Sequence, residues 1–168
     1  RSLEQDQRNR RDEEKILETT RAIATELKLD VLLKNIMEAS SDLLDAERST
    51  LFLFDEKKNL LWSRYAQGLE QELIELKPGE GIAGTVWQNG NYEIIEDPYN
   101  DARFNPEIDF KTGFKTRNIL CIPIRNKEGT TIGVAQALNK RDGKFTDRDV
   151  KRLTSLNAQV SAALENAQ

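Results

Sequence analysis

The chain has 168 residues, 32% of them charged, and a formal net charge of −4, which leaves room for one domain plus extra helix and argues against general binding to nucleic acid or an anionic membrane surface. No apolar run approaches the ~18 residues of a membrane span, and no secretory signal is visible. Cys121 is the sole cysteine, so no internal disulfide forms, and the absence of histidine removes His-ligated metal, histidine general bases and Ser-His or Cys-His nucleophile pairs.

Arg1 opens the chain without a Met, so it reads as a piece of a longer protein. From there to about Leu27 the sequence is charged and free of Gly and Pro, with Ile16, Thr20, Ile23 and Leu27 at helical spacing. Asp30 is placed to cap a second helix. Its broad apolar face of Leu32, Leu33, Ile36, Met37, Leu43 and Leu44 suits packing on a sheet. Ser49 to Asp55 reads as a strand, Lys57-Lys58-Asn59 as a turn and Leu60 to Ala66 as the returning strand of a hairpin. Lys77 to Gly81 is a loop, Ile82 to Gln88 a short helix and Tyr92 to Ile95 a short strand.

Asp97 to Thr116 is long for a connection in a compact domain, and such loops are functional or disordered. Tyr99, Phe104, Phe110 and Phe114 are spaced through it, which favours an ordered lid. Asn118 to Arg125 and Thr130 to Leu138 form a second hairpin around Asn126 to Gly129. Thr146 opens the last helix with Asp149 in capping-box register. Leu153, Leu156, Val160, Ala163 and Ala167 then repeat as a heptad seam. The order predicts an α+β domain: an antiparallel sheet of about six strands, helices packed on one side and long N- and C-terminal helices. The divisions are 1–28 as a connecting and dimerisation helix, 29–150 as the ligand-binding domain and 151–168 as a helix continuing into a linker.

The densest signal lies between Asp109 and Lys140. Thr112-Gly113-Phe114-Lys115-Thr116-Arg117-Asn118 precedes an apolar strand, and Gly133 to Lys140 follows it. Asn139-Lys140, Phe145 and Asp149 complete a pattern whose next position, an acid in the pattern, is Val150 here. These residues resemble the GAF domains that bind cyclic nucleotides in phosphodiesterases and cyanobacterial adenylyl cyclases. The resemblance implies a regulatory binding module without catalytic residues, holding a cyclic nucleotide non-covalently. It also implies that Lys140 and Asp149 brace the fold beside the pocket.

Each candidate has two readings. Ile82 and Ala83 follow Gly81 at a helix start, where free N–H groups suit an anion; an ordinary glycine turn reads the same. Asp109, Thr112 and Thr116 match lid positions that hold the nucleotide in the family. Hydroxyls donate and accept while a carboxylate only accepts, and local capping explains the threonines equally. Arg48 and Thr50 share one strand face and match the base end of the pocket, where Arg48 either stacks on a base or is a solvated strand-end arginine. Ala66 and Gln67 stand where phosphodiesterase domains carry an aromatic and an acid. Gln136 replaces a family glutamate. The departure at Ala66 and Gln67 and the resemblance of the Arg48–Thr50 pair to cyclase domains favour cAMP over cGMP and an adenylyl cyclase parent, with a spacer or a sensor of another molecule, in a phosphodiesterase or histidine kinase, as alternatives. Glu93, Glu96, Asp97 and Asp101 lack EF-hand spacing and read as a solvated face, so no metal is expected. Cys121 reads as a small buried apolar side chain, and Trp62 and Trp87 as packing residues. The expected setting is cytoplasmic, as a homodimer through the terminal helices, without nucleic-acid or membrane contact.

Overall fold

A computed structural model describes residues 2–167. The first element, α1 (Leu3–Leu44), is one unbroken helix of 42 residues. Ser2 caps it, its side chain accepting from the Gln5 N–H at 3.1 Å. The expected break at Asp30 is absent because nothing there demands one: no Gly or Pro interrupts the segment, and the Asp30 carboxylate is engaged sideways. It pairs with Arg64 on the neighbouring strand, and Glu26 joins the same guanidinium at 2.9 Å. The helix ends at Asp45, which adopts the left-handed region at φ 52° and returns its N–H to Asp42 and Ser41.

The strands are β1 (Ala46–Asp55), β2 (Leu60–Ala66), β3 (Glu75–Leu76), β4 (Glu93–Ile95), β5 (Ile119–Arg125) and β6 (Thr131–Lys140). They form one sheet in the order β3-β2-β1-β6-β5-β4, with every pairing antiparallel. Two short helices, α2 (Gly81–Asn89) and α3 (Glu107–Thr112), lie in the connections, and α4 (Asp147–Asn166) closes the chain.

Period-two alternation divides the strands between two cores. Leu51, Leu120, Ile122, Ile124, Ala135 and Ala137 face α1 and α4, meeting Leu33, Met37, Leu153 and Val160. Phe52, Leu61, Ile119, Cys121 and Val134 face the other way and meet Ile82, Ala83 and Val86 of α2. The two long helices therefore share one side of the sheet, as expected, while α2 and the lid cover the opposite side.

The seam on α4 has a different role from the one its spacing suggested. Leu153 and Val160 are fully buried, and Ala163 is nearly so, within the chain's own core. Its partner is α1 rather than a free surface. On α1 the split runs the other way: Leu33, Ile36, Met37 and Leu44 are buried, while Leu32 and Leu43, expected on the packed face, are exposed.

The resemblance-derived pattern sits where β6 meets both long helices. Asn139 is completely buried at φ 62°. Its Oδ1 accepts from the Arg117 N–H at 2.6 Å and the Asn118 N–H at 3.3 Å, and its Nδ2 donates to Glu47 and to the Lys115 carbonyl, both at 2.7 Å. Lys140 Nζ reaches the Leu44 carbonyl at 2.6 Å and Asp149 at 2.9 Å. Asp149 also takes the Thr146 N–H at 3.0 Å, closing the capping box of α4. Phe145 packs in the same core. The Lys140 ammonium thus ties the end of α1, through the Leu44 carbonyl, to the start of α4, through Asp149.

Candidate functional site

On the α2 side of the sheet lies a cavity of about 470 Å³, within the size range of small-molecule sites. Its floor is the sheet, where Thr50 of β1 sits directly opposite Gln136 of β6. Ile82 and Ala83 form one wall, and Asp109, Thr112 and Thr116 form the roof. Arg48 and Gln67 line it as well. Of the expected ligand positions, Ala66 stands apart. It is buried, pairs with Thr50 in the ladder and is not a lining residue. None of Asn139, Lys140, Phe145 or Asp149 lines the cavity.

The wall at α2 begins without a side-chain cap, since Glu80 makes no such bond. The Gly84 N–H is the first to find a helical acceptor, the Glu80 carbonyl at 3.1 Å. The preceding N–H groups of Gly81, Ile82 and Ala83 have no intrahelical acceptor, which leaves positive partial charge at this edge of the cavity.

The lid is ordered, and its own residues hold it shut. Asp109 is 6% exposed. Its Oδ2 takes the Thr116 N–H at 2.7 Å and the Tyr99 hydroxyl at 2.7 Å, while Oδ1 takes the Thr116 hydroxyl at 2.9 Å. The hydrogen bond to Asp109 raises the Tyr99 phenol above its ordinary pKa. The sequence brought Asp109 and Thr116 to the site as separate ligand contacts; the fold makes them partners of each other. Thr112 behaves as a local cap: its hydroxyl donates to the Ile108 carbonyl at 2.7 Å and accepts from the Phe114 N–H at 3.3 Å.

Lid aromatics were expected to give order, and most do. Tyr99 lies 5.2 Å from the Phe104 ring, and Phe114 lies under the Arg48 guanidinium at 3.9 Å. Phe110 instead points outward, 75% exposed. Arg103 went unnoticed in the sequence. It clasps Glu93 at 2.7 and 2.8 Å and Asp101 at 2.8 Å, fastening the lid to β4. Beside that guanidinium the Asp101 carboxyl is held down at about 2, against an ordinary 3.8. Glu93 and Asp101 are therefore clamp residues rather than a solvated face. The signal in the sequence was an arginine two residues after an aspartate inside the lid. A second tie, Glu72 to Lys111 at 3.4 Å, joins two more residues that line the cavity.

Cys121 is fully buried opposite Gln136, and burial pushes its thiol well above the usual range. Such a thiol is inert. Trp87 stacks on Phe54 at 4.1 Å. No group of acidic or cysteine side chains suited to a metal occurs among the described residues, and no helix there is long and apolar enough to cross a membrane.

Comparison with known proteins agrees with this architecture. The GAF domain family model matches residues 28–164. The chain is 39% identical over 172 residues to the cGMP-specific 3',5'-cyclic phosphodiesterase of Drosophila sechellia, covering 92% of this chain and 14% of that protein. The Drosophila melanogaster protein of the same description is 38% identical, with 92% and 15% covered. The chain thus spans about one seventh of the length of these relatives. Among solved structures, the GAF domain of a Coxiella burnetii phosphoenolpyruvate-protein phosphotransferase superposes with a TM-score of 0.71 at 22% identity, over 90% of this chain and 93% of that one. The free methionine-R-sulfoxide reductase of Neisseria meningitidis, solved with its substrate, gives a TM-score of 0.69 at 18% identity, with 83% and 79% covered. At those identities the structures speak for the fold alone. With the family match spanning most of its length, the chain belongs to the GAF domain family and is a regulatory module of that kind.

Proposed function

We propose that this chain binds a cyclic nucleotide and uses it to regulate a larger signalling enzyme. The carrying observation is the cavity of about 470 Å³, bounded by an uncapped helix start and roofed by a lid that residues 97–116 hold shut. A cyclic phosphate suits the N–H groups of Gly81, Ile82 and Ala83, because they offer donors without a buried countercharge. The neutral side chains of Thr50 and Gln136 on the floor suit sugar and base atoms.

In the sequence, the departures at Ala66 and Gln67 and the cyclase-like Arg48–Thr50 pair suggest cAMP and an adenylyl cyclase parent. The relatives give that no support, since those cited are named as cGMP-specific phosphodiesterases. A phosphodiesterase parent and cGMP as effector fit them better. The regulatory step we favour is a change of lid order: ligand contacts from Asp109 to Thr116 fix the loop and bias the long helices, to the extent that the ligand prefers the closed state.

We also propose that the protein self-associates through α1. Ile16, Ile23, Leu27 and Val31 on that helix are each more than half exposed. Removing residues 1–27 should shift the light-scattering mass from dimer to monomer, and a fully dimeric truncation would place the interface elsewhere.

Calorimetric titration with cGMP and with cAMP, after unfolding and refolding to strip carried-over ligand, tests the central proposal. Submicromolar binding of either is the expected result. A folded chain that binds neither overturns it and leaves a spacer or a sensor of another molecule.

A further inference from the structure

The two halves of α1 are held differently. The lower half is docked: Leu33, Ile36 and Met37 lie in the core, and the Met37 carbonyl accepts from the Ser49 hydroxyl at 2.7 Å. Ser49 is fixed in turn by the cavity residue Gln67, whose Oε1 accepts its N–H at 3.0 Å. Above that, residues 10–28 are exposed. Arg64 of β2 reaches up to them from the sheet. Its side chain is only 12% exposed, and its guanidinium meets both Glu26 and Asp30. Those two carboxylates sit one turn apart on α1 and repel each other without a cation between them.

Asp30 has a second use open to it. It precedes Val31-Leu32-Leu33, and an aspartate in that place caps a helix by accepting the N–H of Leu32 or Leu33. In the unbroken helix those N–H groups serve carbonyls one turn back, so the two uses exclude each other. With the carboxylate on Arg64, α1 runs on. With the carboxylate turned to its own backbone, one helix ends before Asp30 and another starts after it. Residues 3–29 span about 40 Å of helix, so a bend at that junction swings the far end widely.

Arg64 is also joined to the cavity. Ser63, the residue before it, takes the Ile74 N–H on its hydroxyl and gives its own N–H to the Ile74 carbonyl, both at 2.9 Å. Ile74 lines the cavity, and Arg64 itself does not.

We propose that Arg64 and Asp30 form a switch that decides whether α1 is one helix or two, and that the cavity wall works this switch through β2. The first part stands on the chain alone; the second rests on reading the cavity as a cyclic-nucleotide site. A wall displacement that draws Arg64 away frees Asp30 to cap, and α1 breaks between its exposed and docked halves. A ligand biases the switch by as much as it prefers one state over the other.

Hydrogen exchange by mass spectrometry, read over residues 26–33, tests both parts. Arg64→Met should speed exchange there by about fivefold or more, the effect of losing a charged pair partly screened by water, while β1 and β6 keep their protection. Two substitutions at Asp30, each added to Arg64→Met, separate capping from charge. Asparagine caps as well as aspartate, so adding Asp30→Asn should leave exchange fast. Glutamate keeps the charge but is not a capping residue, so adding Asp30→Glu should restore slow exchange. Unchanged exchange in Arg64→Met, or equal exchange in the two double variants, overturns the switch. For the second part, saturating cGMP or cAMP should alter exchange over the same residues in the unmodified chain and not in Arg64→Met. Nucleotide that binds by calorimetry without that difference overturns the coupling to the cavity. If neither nucleotide binds, the reading of the cavity and the coupling fall together, and the Arg64 and Asp30 variants decide the switch by themselves.

Discussion

Asp109→Ala removes the acceptor at the centre of the lid. Three donors converge on that carboxylate: the Tyr99 hydroxyl and the N–H and hydroxyl of Thr116. Their fates differ with burial. Tyr99 is 39% exposed, so its hydroxyl turns to water at little cost, whereas Thr116 is 4% exposed and keeps both donors inside. A buried donor stripped of its partner costs about 1–3 kcal/mol, and two on one residue do not add fully, so ~3 kcal/mol is the working figure. For a chain of this length that is a fall of ~6–12 °C in Tm. Thr116→Val alone should cost ~1 kcal/mol, because only the hydroxyl is lost. The two substitutions combined should cost less than their sum, since both remove the same bond. Thermal unfolding followed by circular dichroism gives the stabilities. Hydrogen exchange by mass spectrometry should show protection falling across residues 97–116 while β1 and β6 keep theirs. In the ligand-bound state, replacing both residues by Ala should weaken nucleotide affinity by about tenfold or more, because the roof no longer closes. An unchanged Tm for Asp109→Ala, or strict additivity in the pair, would refute the latch.

Other substitutions separate the brace from the cavity. Lys140→Met leaves the Asp149 carboxylate, 2% exposed, with the Thr146 bonds but no cation; a loss of about 3 kcal/mol is expected, with ligand affinity per folded molecule unchanged because Lys140 does not line the cavity. Gly133→Ala would bring a Cβ to 2.2 Å from the Phe52 carbonyl, where β1 and β6 pair. The sheet must part, and chemical denaturation should report a loss of about 1–3 kcal/mol. The Asp101 carboxyl is depressed to about 2 from 3.8 in the folded state by Arg103, so its contribution is present above pH ~4 and is lost as pH falls toward ~2. Asp101→Asn should flatten the acid limb of the stability curve in that window, and an identical limb would show that the clamp is not held by charge.

Much of the architecture could be read from local pattern. The hairpin strand Leu60–Ala66 was read with the bounds it has, because an apolar run ends at a turn where Asn59 takes φ 53° and tolerates it. The capping box at Thr146 and Asp149 was legible because both partners lie within one turn. β3 was missed: Glu75–Leu76 is two residues long and exists by pairing with Leu61 and Trp62, which leaves no periodicity to detect. The break expected at Asp30 was a fair reading of an aspartate before an apolar run. Arg64, far along the chain, is what occupies that carboxylate instead.

At the site the division is sharper. Nine of the ten expected ligand positions line the cavity, since β1, β6, α2 and the lid each carry their part in a short stretch of chain, but much of the lining, Leu69, Glu72, Leu73 and Arg103 among it, was not named. Their partners were not. That Asp109 bonds to Thr116, that Arg48 stacks on Phe114, and that Ser49 orients Gln67 all depend on packing and register between segments. The same holds for the seam on α4, whose period is set locally but whose partner, α1, is set by the sheet they share. Sequence by itself determined most of the elements, though neither β3 nor the continuity of α1, together with the absence of histidine and disulfide chemistry, because these follow from side chains a few positions apart or from composition. Only the tertiary structure decided which donor meets which acceptor, because hydrogen bonds demand a separation near 3 Å and no one-dimensional pattern encodes that distance.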